Sequence, residues 1–523
     1  MGEPSTRRRQ QLALLTLCVA MFMAMLDNVV VNVALPRIGQ DLDAGVSGLQ
    51  WVAEGYSLVY AALVLTGGAL GDRHGRTRMF VLGLGLFTVG SAVAALAGTI
   101  GVLVGGRMVQ GVGAALLTPG SLTLLSHVFT GERERARAIG LWSGVSALGL
   151  SIGPVIGGPM VEHLGWASVF WINVPIGVAG VVLAAKVLPG IPPRARRIDF
   201  GGFVLSAAGL GLLVYALIEG PSRGWTDVRV AGSGVLAVVL LAAFLLLELR
   251  LAEPMLELRL FRDGGLSAGL LSGFMVSFGM FGALFFLPLL MQSVLGWSPS
   301  GAAYGGLPMT AMLVVAGPLS GRLAARYGPR PPMVLGLALC AVGLGGLSLY
   351  GDHARYPEYL WTLFVLGFGM GLTFTPVSIA VLQRVAPAQT GMASATVNTL
   401  RELGGVLGIA VLGAVLTNRM SDRLTAALHR LGVPADAVGP VADAPTGAAH
   451  GGGGTTGTLP EPVRHAVDGA FIDGIHLALR CGSVVLAVTA VLVAVLLGRA
   501  RPLAPAAPAG EPRAEELAEA RSS

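Results

Sequence analysis

Charge is what this chain has least of. Only 12% of its 523 residues are charged, about half the roughly 25% of a soluble domain. That shortage excludes a soluble globular protein, a disordered chain and a nucleic-acid-binding module. Lysine is nearly absent, Lys186 being the single example, and no Gly-x-x-x-x-Gly-Lys-Ser/Thr phosphate loop occurs. ATP hydrolysis within this chain is therefore excluded. The three cysteines, Cys18, Cys340 and Cys481, are odd in number, far apart and inside apolar runs. They form neither a disulfide framework nor a metal site. Eight histidines show no metal-ligand spacing, and no nucleophile–base motif is present. The expectation is a protein that is not an enzyme and carries no metal or cofactor.

What fills the chain is apolar sequence: 54% hydrophobic residues and a mean hydropathy of +0.73. A helix crossing a bilayer needs about 20 such residues, and fourteen windows qualify. Six lie near 12–34, 51–71, 79–98, 101–126, 137–159 and 166–187, and two near 199–219 and 229–249. Six more lie near 265–291, 301–320, 332–350, 359–383, 393–416 and 474–497. The first window is too long for a signal peptide, contains Asp27 and lacks a cleavage site, so it is a retained helix. Arginine clusters at residues 7–9, 73–78, 133–137 and 322–330 fall on one side of this count, and the short loops on the other side hold few. That bias places both termini in the cytoplasm and explains the net charge of +6 without a nucleic-acid partner.

The organisation follows. Residues 1–11 form a cytoplasmic N-terminus, 12–187 a six-helix bundle, and 188–250 two linking helices. Residues 251–498 form a second six-helix bundle, with a long outer loop at 417–473 that glycine and proline mark as flexible; 499–523 is a cytoplasmic tail. The loop Gly68-Ala-Leu70-Gly-Asp72-Arg73-His-Gly75-Arg76 is echoed by Gly321-Arg-Leu323-Ala-Ala325-Arg326-Tyr-Gly328. Each follows the second span of its block, so the blocks are parallel repeats, as in alternating-access transporters. The predicted fold is an all-α polytopic membrane protein: fourteen transmembrane helices, as two pseudo-symmetric six-helix bundles plus two inserted central helices.

The first of those loops resembles the signature loop of the major facilitator superfamily. Arg107-Met-Val-Gln110-Gly111 resembles its fourth-span motif, and Gly149-Leu-Ser-Ile-Gly153-Pro154-Val-Ile-Gly157-Gly158 its fifth-span antiporter motif. Leu26-Asp27-Asn-Val-Val-Val-Asn32 and Trp171-Ile-Asn173-Val-Pro175 are similar to motifs of the fourteen-span drug:proton antiporter subfamily. The resemblance implies a coupling role for Asp27 and Arg107.

Read as chemistry, Asp27 is the sharpest signal, because a carboxylate deep in an apolar span costs a few kcal/mol or more; the alternative is a helix cap, with Pro36 close behind. Glu54 and Arg107 enter from the same side, and an acid–base–acid cluster can hold one proton whose affinity follows water access. Glu54 reads equally as a solvated acid near the interface. Glu402, beside Arg401, fits a substrate or proton site or an ion pair between helices. Gly149, Gly153 and Gly157, with Pro154 and Gly158, fit a seal between the halves or plain close packing. Gly68, Asp72, Arg73, Gly75 and Arg76 fit a gating loop with charge pairs across the halves, or topology alone. These readings converge on a monomeric, proton-coupled multidrug or antibiotic exporter in the bacterial inner membrane. Its partners are small hydrophobic substrates, protons and lipid, with no nucleic acid and no ATP. The alternatives are a dedicated exporter of one endogenous metabolite, lipid or siderophore and, more remotely, a membrane enzyme or receptor.

Overall fold

The computed structural model describes residues 3–191, 199–251, 261, 263–350, 355–385, 390–431 and 461–499, and among them every regular element is helical. The first bundle holds α1 (Glu3–Asp41), α2 (Val46–His74), α3 (Arg76–Ala95), α4 (Ile100–Val128), α5 (Glu132–Leu164), the short α6 (Ser168–Trp171) and α7 (Asn173–Val187). A hairpin of α8 (Phe200–Arg223) and α9 (Val228–Arg250) follows. The second bundle holds α10 (Gly264–Leu289, extended by a π-helical turn to Val294), α11 (Pro299–Gly305), α12 (Leu307–Tyr327), α13 (Arg330–Leu347), α14 (Tyr356–Leu382), α15 (Thr390–Arg430) and α16 (Glu461–Arg499). Among the described residues, thirteen segments are long and apolar enough to cross a bilayer. Helix α2, bent by 54° between Val64 and Thr66, makes the count fourteen, in agreement with the fourteen apolar windows.

Lipid cannot satisfy backbone polar groups, so each span closes its own hydrogen bonds. What then draws the helices together is close contact at small residues, and the same contacts recur in both bundles. Helix α4 meets α2 and α3 through Gly111 and Gly113. A Cβ on them would lie 2.6 Å from the Tyr56 carbonyl oxygen and 2.5 Å from that of Gly83. Helix α14 meets α12 and α13 in the same way, with Gly371 2.6 Å from the Leu313 oxygen and Gly369 2.6 Å from the Gly336 oxygen. The α1–α5 pair of the first bundle is matched by α10–α15 in the second. The two echoed loops also share their geometry: Gly75 ends α2 at φ 98° and Gly328 ends α12 at φ 80°. A side chain is strained in that region, so glycine at both turns keeps the repeat in register.

One expectation changes. The 417–473 segment is not loop at its ends, because α15 continues to Arg430 and α16 begins at Glu461. Met420, Leu424 and Leu428 are buried on one helical face, with Val463, Val467 and Phe471 buried on α16. Arg423 pairs with Asp473 at 3.0 Å. That i, i+4, i+8 spacing carries the two helices beyond the apolar windows. Residues 432–460 and the tail from 500 lie outside the described residues.

Candidate functional site: a buried carboxylate network

Asp27 lies in the middle of α1, which runs through Pro36 without ending, so it is no cap. Its side chain and that of Arg107 on α4 are both fully buried and paired directly, Nη1 donating to Oδ2. The other Asp27 oxygen accepts two amide N–H bonds, from Asn173 at the start of α7 (2.7 Å) and from Gln110 on α4 (2.9 Å). Gln110 also takes a bond from Arg107 at 3.0 Å and gives one to the Ser91 hydroxyl of α3 at 2.8 Å. Arg107 Nε donates to the Val52 carbonyl of α2 (3.2 Å), and its guanidinium lies 4.8 Å from the centre of the Tyr56 ring. Five helices therefore meet at one buried ion pair. Such a pair survives in a dry interior when its other donors and acceptors find partners; here two side-chain amides and the Val52 carbonyl supply most of them, while Arg107 Nη2 has no hydrogen-bond partner among the described residues.

The motifs that carry Arg107 and Asn173 had flagged those segments, but Gln110, Asn173 and Ser91 were not on the predicted site. Neutral polar residues cost little in a span and so stand out less than charges.

Glu54 stands apart. It is fully buried on α2, away from solvent rather than at the interface, and neither carboxyl oxygen has a hydrogen-bond partner among the described residues. The expected acid–base–acid cluster is thus a bonded Asp27–Arg107 pair with Glu54 outside it. Glu402 sits on α15 where that helix packs on α2, close enough for its charge to act on Glu54. Its neighbour Arg401 has its guanidinium 4.2 Å from the centre of the Phe374 ring.

Gly149, Gly153 and Gly157 face α1, opposite Phe22, Leu26 and Val30, and so tighten contact within the first bundle rather than sealing the halves. Gly158 is the one at the seam, where a Cβ would come within 3.0 Å of Pro299 and Ser300 on α11. Pro154 lines a cavity of about 30 Å³ between the bundles, with Val29, Asn32, Leu284, Met309 and Thr310. At the arginine-rich end, Asp72 pairs with Arg76 at 2.5 Å, and Arg76 also holds the Pro119 carbonyl at 3.1 Å. That pairing is local to the α2–α3 turn, where Gly68 lies against Pro119, Gly75 makes the turn and Arg73 is exposed.

The two bundles are hydrogen-bonded at the opposite end. Gln50 of α2 donates to the Ile409 carbonyl of α15 (3.0 Å), and Gln292 donates to the Val33 carbonyl of α1 (3.0 Å). The Ser300 amide donates to Glu162 of α5 (3.1 Å). Toward the arginine-rich end, Leu141 and Leu148 of α5 and Val314, Leu319 and Tyr327 of α12 are exposed.

Residues 17–409 match the family model described as Major Facilitator Superfamily. Multidrug resistance protein Stp of Mycobacterium tuberculosis is 38% identical over 424 residues, 81% of this chain and 79% of that one. Tetracenomycin C resistance and export protein of Streptomyces glaucescens is 37% identical over 510 residues, 95% and 93% of the two chains. Methylenomycin A resistance protein of Bacillus subtilis is 36% identical over 404 residues, 77% and 87%. Among solved structures, a bacterial homolog of the human lysosomal transporter Spinster aligns with a TM-score of 0.68 at 17% identity, covering 97% of this chain and 100% of its own. Two repeated bundles with the same glycine contacts, an ion pair buried inside the first of them and a family match across most of the chain agree: the chain belongs to the major facilitator superfamily.

Proposed function

We propose that the chain is a proton-coupled exporter of hydrophobic small molecules, antibiotics among them, working by alternating access across the bacterial cytoplasmic membrane as a monomer. The observation that carries the coupling is the presence of carboxyls inside the spans, Asp27 and Glu54 fully buried in the first bundle and Glu402 half-buried on the facing α15, in a chain without an ATP-binding loop. Export is supported by the relatives, whose names record resistance or export of multiple drugs, tetracenomycin C and methylenomycin A. The arginine-rich end is assigned to the cytoplasm, with both termini there, because retained loops carry the Lys/Arg excess. With that orientation the hydrogen-bonded end is outer, and the conformation is the one open toward the cytoplasm. The small cavities between the bundles are lined mainly by apolar residues, including Met280, Met309 and Met370. Methionine adapts its shape to what it touches, which suits a site that accepts several substrates.

The test is an efflux and resistance screen in a pump-deficient bacterial host, with and without a protonophore. Reduced accumulation of several unrelated compounds, abolished by the protonophore, supports the proposal. Efflux that persists with the proton gradient collapsed removes proton coupling. Activity confined to one compound would favour the dedicated exporter, a reading that the tetracenomycin relative's near full-length match supports.

A further inference from the structure

Two carboxyls lie in the first bundle's membrane interior, and their surroundings are opposites. Asp27 faces three N–H donors: Arg107 on one oxygen, Gln110 and Asn173 on the other. A proton added there would face those donors and leave Arg107, itself fully buried, without its counter-charge. Glu54 faces none. Its two oxygens have no donor among the described residues, and it has no contact with water. A carboxylate in that setting would be a buried charge with nothing to hold it, whereas a neutral carboxyl needs no counter-ion.

We propose that Glu54, and not Asp27, is the carboxyl that carries the proton through the transport cycle, while Asp27 stays ionised as the permanent partner of Arg107.

The charged and titratable groups around Glu54 leave it that role. Tyr56 and Tyr60 share its helix, and on α4 Arg107 bonds Asp27, Gln110 and the Val52 carbonyl through Nη1 and Nε, its Nη2 having no hydrogen-bond partner among the described residues, Glu54 included. On α8, Glu219 is held by the Trp51 indole N–H and by Arg223. On α15, Arg401 lies over Phe374, and Glu402 is the carboxyl whose charge acts on Glu54. No cation among the described residues is bonded to it.

Position supplies the cycle. Glu54 is one turn from Gln50, whose bond to Ile409 closes the outer end of the α2–α15 seam. On its other side, Leu58 packs with Val406 and Ala410. When the seam opens from the outer end, Glu54 is the first ionisable group behind Gln50. A proton from external water then forms the O–H bond on its carboxylate. When the seam recloses, the proton is enclosed. Water entering from the arginine-rich end later breaks that bond and carries the proton into the cytoplasm. One proton is bound and one released, with no redox change.

This assignment rests on the proton-coupled reading, so the experiment separates the two. Infrared spectra of the purified, full-length protein at neutral pH report protonated carboxyls by their C=O stretch. The expected result is that the wild-type-minus-Glu54→Gln difference contains one such band and the wild-type-minus-Asp27→Asn difference contains none. Glu54→Asp keeps a band at shifted frequency, and gel-filtration profiles establish that each variant is folded. A band that disappears in Asp27→Asn and persists in Glu54→Gln overturns the assignment. In proteoliposomes with ethidium as the probe, Glu54→Gln is expected to lose at least ten-fold in pH-gradient-driven accumulation, and wild-type-like accumulation overturns the proposal as well. Absence of any proton-driven transport by the wild type across the panel of screened compounds would remove the exporter reading, while the infrared result would still decide which carboxyl holds the proton.

Discussion

Gln50 and Ile409 come from different bundles, yet the Gln50 side-chain amide is buried and bonded at 3.0 Å to the Ile409 main-chain carbonyl. The bond has room only because residue 413, one turn further along α15, is glycine. A Cβ there would collide with the Gln50 amide. Gly413→Ala is therefore expected to loosen the α2–α15 seam. Spin labels at Asp43 and Ser421, both exposed, should report a longer or broader distance distribution than in the wild-type background. An unchanged distribution would show that this bond does not hold the seam.

The Asp27–Arg107 pair should behave as a unit. Asp27→Ala leaves a buried arginine uncompensated and is expected to lower stability by about 3–5 kcal/mol. Combining it with Arg107→Gln should cost less than the two single losses added together, since residues in one network do not contribute independently. Thermal unfolding in detergent of the four proteins completes the cycle. Strict additivity would mean that the pair is not coupled.

Close backbone contact is a second source of stability. Gly404 on α15 faces the Phe274 carbonyl of α10, where any side chain would clash, while Gly105 on α4 has open space around it. Gly404→Ala should destabilise by about 1–3 kcal/mol or more through forced separation of the helices. Gly105→Ala should leave the unfolding temperature within measurement error. Equal behaviour of the two would contradict the packing described.

Asn173 donates at 2.7 Å to the carboxylate of Asp27. Replacing it with alanine removes a bond to a charged group, expected to cost about 1.5–3 kcal/mol. Asn173→Asp adds a second carboxylate against the first and should be the worse of the two variants. The comparison is read in unfolding temperature and in efflux of the screened compounds.

The architecture was legible because bilayer thickness and the scarcity of charge leave few choices. Apolar windows and the Gly75 and Gly328 turns marked spans and repeat. Asp27 and Arg107 stood out as charges inside spans. What the chain concealed was the company they keep. Asn173 lies 146 residues from Asp27, and an asparagine at the start of a helix is ordinary in any sequence. Glu54 posed the converse problem: depth counted along α2 placed it near the interface, but packing by α4, α8 and α15 removes it from water. The helical ends at 417–430 and 461–473 were hidden by the glycine-rich centre between them, although Leu424 and Leu428 already had helical spacing.

The α8–α9 hairpin grips both bundles. Ser47 donates to the Ile218 carbonyl and Trp51 to Glu219, tying the hairpin to α2, while the Trp225 indole N–H reaches Asn418 on α15. If the bundles rock against each other as proposed, a body fastened to both acts as a guy-rope, limiting how far they part. It stays slack only while both anchors remain within a side chain's reach. On the proposed cycle the two additional helices would set the amplitude of the swing, and a shorter or stiffer connection between Glu219 and Trp225 would narrow the opening at the hydrogen-bonded end.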